Sequence, residues 1–386
     1  MTTKSLESDE IIRNQSIERR QAAIREEMAK QDIDALIAYG SGAHSFTGMN
    51  PAWYLSAFKQ LGPHSAVVLP MVGDPILVIT PEWDRQRCVE RAGMEVAAVA
   101  PDHFLETIGS ELERRQLKSK KLAVSGGHQQ PQAIADAWSG VLGQDPVWFD
   151  KQISDLAKIR DEWSLTCARR AAAIAKKGYQ RVLEFARPGM PEYIVAADLE
   201  MYMRRLGAED NFQLLSASQH NAAGHFPTSR LLAQGDVLLG EITPAVEGEF
   251  LQICRSTVIG PPSDLQKEKF ALLQTALRAG MKAAMPGVPV IDVVEAINKP
   301  IADAGYERYT KPPYMRTRGH SMALGSMEPE LMPGHDHVFQ KNMVFVMHPN
   351  QYIPETGYLM CGEPVIITNS GAEPLTGEVA GLGSIQ

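Results

Sequence analysis

Cysteine is scarce in this chain. Four residues, Cys88, Cys167, Cys254 and Cys361, stand among 386, and no two have CxxC spacing. That excludes a disulfide-stapled scaffold and a thiolate zinc site, and it leads us to expect a cytoplasmic protein. Long apolar runs are missing too. No window approaches the roughly 18–20 residues needed to span a bilayer, so no membrane partner is expected. Met1 to Arg20 is polar and mixed in charge, without the apolar stretch of a secretory signal. Positive charge is not in surplus: 38 Lys and Arg stand against 46 Asp and Glu, a net charge of −8. Without a basic stripe, nucleic acid is not an expected partner. No repeat of fixed period is visible, which removes solenoids. What remains is ordinary for a globular protein, 44% hydrophobic and 22% charged. The length suits two or three domains with real cores, and an enzyme.

Two patterns divide the chain. In the first half the spacing predicts a helix over Ser8–Lys30, whose apolar stripe includes Ile17, Ile24 and Met28. Short apolar strands follow at Ala35–Tyr39, Ser65–Leu69 and Pro75–Ile79, the last two bridged by the Gly73-Asp74 turn. Helices at Trp83–Ala92, Phe104–Arg115 and Gln132–Val141 then alternate with strands at Glu95–Val99, Lys121–Val124 and Val147–Phe149. Alternation of this kind predicts an α/β domain over 1–155. The second half opens with helices Asp161–Phe185 and Glu192–Leu206, broken at Arg187-Pro-Gly-Met-Pro191. Strands from Phe212 to Ile259, helices Leu265–Met285 and Ile291–Ala304, and a last block of strands follow. Blocks rather than alternation predict an α+β domain over 156–386.

Three of the ten histidines stand in unusual settings. His225 lies in Gly224-His-Phe-Pro-Thr-Ser-Arg230. His320 follows Gly319, a residue that permits close backbone approach. His348 ends the apolar run Met343-Val-Phe-Val-Met347. A histidine at the end of a buried strand is a candidate for proton transfer near neutral pH. Each has an ordinary reading as a satisfied core or loop histidine, and spacing alone does not bring the three together.

The segment Gly235–Arg255 resembles the central hairpin of the pita-bread, or peptidase M24, family, which includes prolidase, aminopeptidase P, methionine aminopeptidase and creatinase. Gly319-His320, Met327-Glu-Pro329, Asn342–Pro349, Val365–Thr368 and Gly371–Thr376 follow in the family's order. The resemblance covers the second half; the first half is similar in outline to the α/β N-terminal domain of creatinase and prolidase. It implies a pita-bread C-terminal domain and a homodimer.

The family's metallopeptidases hold two ions through two Asp, one His and two Glu. Carried over, these positions fall on Glu241, Gln252, His320, His348 and Gly362, with Glu363 adjacent. One carboxylate, one amide, two imidazoles and a glycine are a poor set for two dications. The expectation drawn is of no metal cofactor, with one divalent transition ion on Glu241, His320 and His348 as the alternative. Among family members the pattern is nearest in character to metal-independent creatinase, whose general-base histidine falls on His225. Its substrate-orienting glutamates fall on Cys254 and His348, and its carboxylate-binding arginine falls near Pro63, beside His64.

The reading is therefore a metal-independent hydrolase of a C–N bond in a small polar metabolite. His225 acts as base, His320 and His348 hold or protonate the substrate, and Glu241 orients a histidine or a cation. Candidate binding residues are Cys254, Gln252, Arg316, Arg318, Glu363, Phe226, Trp53 and His64. Cys254 beside Arg255 is either a thiolate nucleophile or a small buried side chain. Arg316 and Arg318 either clamp a carboxylate or form a solvated basic loop. Trp53 has an ordinary reading as packing. A metallo-aminopeptidase or prolidase with an unusual ligand set, a lyase and a non-catalytic binding protein are the rival functions.

Overall fold

The structure is a computed structural model that describes residues 3–42, 48–127, 130–324 and 326–386, with side chains from residue 8 onward. The chain forms two compact units, Met1–Trp163 with Ala323–Gly325, and Ser164–Met322 with Ser326–Gln386. The break between units lies at Trp163/Ser164, in the first turn of a helix, where the sequence reading put it near 155.

The first unit contains α1 (Thr3–Ala29), β1 (Ala35–Ser41), α2 (Pro51–Ser56), β2 (His64–Pro70), β3 (Ile76–Ile79), α3 (Arg85–Ala92) and β4 (Glu95–Ala98). It continues with α4 (Phe104–Arg114), β5 (Leu122–Ser125), α5 (Gln132–Leu142), β6 (Val147–Trp148) and α6 (Asp150–Ala157). Among the described residues these strands form one mixed sheet in the order β4-β3-β2-β1-β5-β6. β1–β2 and β2–β3 are antiparallel, and the other pairs are parallel. β1 is apolar on both sides because both faces are covered. Leu36 and Ala38 pack with Ile24 and Met28 of α1, Trp53 of α2 and Ile153 of α6. Ala35, Ile37 and Tyr39 pack with Phe104 and Ile108 of α4 and Trp138 of α5. Two short helices escaped the sequence reading. α2 starts at Pro51 behind the cap Asn50, whose side chain accepts from Trp53 N at 2.9 Å. α6 offers too few turns to show a period.

The second unit begins with α7 (Glu162–Phe185) and α8 (Glu192–Arg205). β7 (Asp210–Ser218), β8 (Val237–Val246), β9 (Glu249–Phe250) and β10 (Ile253–Ile259) follow, then α9 (Asp264–Ala283) and α10 (Val290–Ile301). The remaining strands are β11 (Gly319–Ser321), β12 (Val344–Met347), β13 (Gln351–Ile353), β14 (Gly357–Leu359), β15 (Glu363–Thr368), β16 (Gly371–Pro374) and β17 (Gly383–Ile385). Among the described residues β17-β10-β8-β7 make one sheet, with β9 on β8, and β11-β12-β15-β16 make another. α7 and α8 cover the face of the first sheet that carries Leu215, Leu238 and Ile253. α9, opened by a Ser263–Gln266 capping box, and α10 cover the side carrying Val237, Leu239, Phe345 and Val365. The two sheets touch where Cys254 and Gly362 exchange backbone hydrogen bonds of 3.1 and 3.0 Å. The candidate site is built around that touch.

Candidate active site

Strand register assembles the site. Side chains alternate along β8, so Glu241 shares the face of Val237 and Leu239. It lies directly opposite Cys254 of β10, which places the two on one face. In the second sheet His320 of β11 pairs with Val346 of β12, and His348 N donates to Arg318 O at 2.9 Å. His320 and His348 are thus diagonal neighbours, their ring centroids 5.5 Å apart and edge to face. Gly319 makes this possible: its φ is +144°, and a Cβ there would lie 2.1 Å from Val346 O.

Glu241, His320 and His348 line a cavity of about 250 Å³ together with Tyr314, Met315, Arg316, Thr317, Met327, Glu330, Asn350 and Tyr358. Burial raises the Glu241 carboxyl to about 7, and it has no hydrogen-bond partner among the described residues. His320 Nδ1 bonds to Ser321 O at 3.0 Å, so Nδ1 carries the proton and Nε2 is left as an acceptor. Burial lowers the pKa of this ring. His348 is 6% exposed, and its Nδ1 is buried without a partner. Burial, with His320 next to it, brings its pKa down to about 3. At neutral pH both rings are uncharged.

The other expected site residues have varied settings. Arg316 lines the cavity, is largely exposed and pairs with Glu330 at 2.7 Å. Arg318 is fully buried and spends its guanidinium on Asn298, Asn350 O and Gln351 at 2.6, 3.0 and 2.8 Å. It braces the loops instead of meeting a ligand. Glu363 is likewise committed, to Arg255 at 2.9 Å, Thr376 Oγ1 at 2.6 Å and Ala380 N at 3.0 Å. Gln252 is buried and donates to Cys254 Sγ at 3.4 Å. Burial holds the Cys254 thiol well above its usual pKa, so it is the small neutral side chain and not the thiolate.

His225 sits on an exposed loop with Nδ1 on Phe226 O at 2.8 Å, and it is not among the residues lining the cavity. Phe226 is 63% exposed and packs edge-on against Phe212. Trp53 is packed in the core of the first unit. His64, in the same unit, shares a 2.9 Å hydrogen bond with the Tyr39 hydroxyl. The sequence reading missed Tyr314, Asn350, Tyr358 and Glu330. They stand in loops or on a two-stranded ribbon, where no periodicity marks them.

The chain matches metallopeptidase family M24 over residues 166–369, more than half its length. It belongs to that family. Among curated relatives, the uncharacterized peptidase YqhT of Bacillus subtilis is 27% identical over 58% of this chain and 64% of its own length. The chain thus spans under two thirds of that relative. The probable dipeptidase PepE of Mycobacterium tuberculosis is 27% identical over 80% of this chain and 82% of its own. The X-Pro aminopeptidase structure from Thermotoga maritima superposes with a TM-score of 0.81 at 20% identity, covering 95% of this chain and 99% of its own. The fold is therefore the expected one, an α/β N-terminal domain followed by a pita-bread domain.

These findings correct the functional expectation. The matched family is one of metallopeptidases, and the named relatives are peptidases, so the metal-independent, creatinase-like reading does not stand. The expectation of no metal cofactor falls with it. The residues present still do not reproduce a two-ion carboxylate centre. A Cβ on Gly362 would lie 2.7 Å from His348 Cβ and 2.9 Å from Cys254 Cβ, so a glutamate has no room there. Among the described residues no three His, Cys, Asp or Glu side chains are placed to hold a metal ion. That applies also to the alternative set of Glu241, His320 and His348. No helix among the described residues is long and apolar enough to cross a membrane.

Proposed function

We propose that the chain hydrolyses the C–N bond of a small, peptide-like amide of about dipeptide size in the cavity of its second unit. One observation carries this reading: Glu241, without a hydrogen-bond partner among the described residues, lines one cavity with the adjacent rings of His320 and His348. An unmade hydrogen bond on a buried group costs on the order of 1–3 kcal/mol, and such groups gather where a ligand supplies the partner. The names of the relatives, dipeptidase and X-Pro aminopeptidase, support the substrate class. The cavity of about 250 Å³ is just under the roughly 300–1,000 Å³ typical of small-molecule sites, a size for a dipeptide.

The residues divide the work by their protonation. Glu241, titrating near 7, holds a proton that a leaving amine needs. Neutral His320 presents Nε2 to take a proton from the water that attacks the carbonyl carbon, the Glu241 proton passes to the departing nitrogen, and neutral His348 hydrogen-bonds the substrate amide. Arg316 keeps Glu330 on Nη2 and offers its remaining N–H donors to a terminal carboxylate. The residues at the family's ligand positions do not fit two ions, and no step here runs through one.

The test is release of free amino acids from Xaa-Pro and Xaa-Gly dipeptides, by the protein as purified and supplied in turn with manganese, cobalt and zinc. Cleavage of at least one dipeptide is expected, with His348→Ala lowering kcat/KM by about 10²-fold or more. No cleavage in any arm, or full activity in His348→Ala, would sink the reading.

A further inference from the structure

The residues lining the cavity differ in character. Glu241, His320, His348 and Asn350 are polar, whereas Tyr314, Met315 and Met327 contribute a ring and two thioethers. Nothing in the hydrolysis of an amide calls for that second group. Met327 is 36% exposed, a large apolar side chain left open at a cavity wall.

Tyr314 is held from behind. Its ring stacks on Tyr352 with centroids 5.7 Å apart and planes 23° from parallel, and it meets Tyr309 edge-on at 4.8 Å. Tyr309 and Tyr352 are themselves 5.9 Å apart, which closes a triangle of rings. A ring fixed this way offers apolar area with little rotamer freedom left to lose on binding. Two methionines beside it adapt to the outline of whatever is placed there. The neighbouring charges, Arg316 and Glu330, neutralise one another at 2.7 Å, so this wall carries no unbalanced charge that would favour a polar group.

We infer that Tyr314, with Met315 and Met327, forms an apolar subsite that takes an aliphatic or aromatic side chain of the substrate. The inference rests on the reading that the cavity accepts a small peptide-like amide, and it adds which members of that class bind best. A side chain that fills the subsite gains roughly three- to fourfold in affinity for each methylene removed from water. Glycine leaves the wall wet and gains nothing.

The experiment is calorimetric binding of two series of reduced dipeptides, in which a methyleneamine replaces the amide so that no cleavage occurs. Gly, Ala, Val, Leu and Phe are varied at the first position in one series and at the second in the other. In one series affinity should climb with side-chain size, Leu binding at least about 10-fold tighter than Gly. Tyr314→Ala should flatten that climb while leaving the Gly member within about twofold, and Tyr314→Phe should preserve it. Equal binding of Gly and Leu in both series, or a uniform loss across all members in Tyr314→Ala, overturns the subsite. A size-dependent climb in binding without cleavage of the parent dipeptides overturns the hydrolase reading and leaves the subsite standing. Cleavage without the climb does the reverse, and no binding by any member overturns both.

Discussion

Around Arg255 and Glu363, buried charge is paired; in the cavity, the half-buried Glu241 carboxyl and the buried His348 Nδ1 are left without hydrogen-bond partners among the described residues. The two regions lie on neighbouring strands, Glu241 on β8 beside Arg255 on β10, and His348 just past β12 beside Glu363 on β15. Cys254 lies opposite Glu241, and Arg255, one residue on along the strand, points to the other face. Glu363 is 1% exposed yet accepts from Arg255, Thr376 and Ala380, and Arg255 leaves only Nε unpaired. Glu241 and His348 have no such support. The difference teaches that this fold has the means to satisfy a buried carboxylate and does not use them in the cavity. A paired charge serves the fold, and an unpaired one is available to a ligand.

Breaking the satisfied side should have the largest effect. Glu363→Ala strands the Arg255 guanidinium, and we expect a loss of about 3–5 kcal/mol in denaturant unfolding. A loss below 1 kcal/mol would mean that the pair is not what separates the two regions. Gly362→Ala comes next, because its Cβ would press into His348 Cβ and Cys254 Cβ. Overpacking there should cost about 1–3 kcal/mol, and Cys254→Gly in the same chain should relieve part of it. Additive losses in the double variant would show that the two residues do not share the space.

The smallest effect is on pH dependence, and it comes from the unsatisfied side. Glu241 has a folded pKa raised from 4.5 to about 7, so its contribution is full at low pH and is lost as pH rises through 7. His348 has a folded pKa lowered from 6.5 to about 3, so its contribution is present above 6.5 and is lost as pH falls through 3. Between about 4.5 and 6.5 the two slopes oppose one another. His320, its pKa lowered by burial in the same sense as that of His348, still opposes Glu241 when His348 is removed, so His348→Leu should tilt the profile toward falling with rising pH across that window, and Glu241→Gln should tilt it toward rising. Unfolding curves at pH 4.5, 5.5 and 6.5 check this; identical pH profiles in both variants would contradict it.

Much of the first unit was legible because its strands are apolar on both faces and its turns carry glycine. β1 and the Gly73-Asp74 turn gave the sheet away, whereas α2, six residues long, was too short to show a period. In the second unit the order of motifs marked His320, His348 and Glu241, and the cavity contains all three. Arg316 and Arg318 looked alike in sequence, two residues apart in one loop. Only packing separated them, since Arg318 turns inward to Asn298 and Gln351 while Arg316 reaches the cavity with Glu330. His225 looked as promising as the other two histidines, but its loop leaves it exposed with its Nδ1 on the adjacent carbonyl.

The sequence by itself determined the fold class, the family and the absence of the family's usual carboxylates, because each is written in local pattern and motif order. It could not decide which polar residues would be satisfied. Glu363 and Glu241 are both acids on apolar strands, and their difference lies in partners that come from far along the chain. Thr376 and Ala380 reach one, while His320 and His348 stand near the other. Only the meeting of two sheets at Cys254 and Gly362 brings those partners in or keeps them out, since a hydrogen bond is decided within about 3 Å and no spacing along a chain sets that.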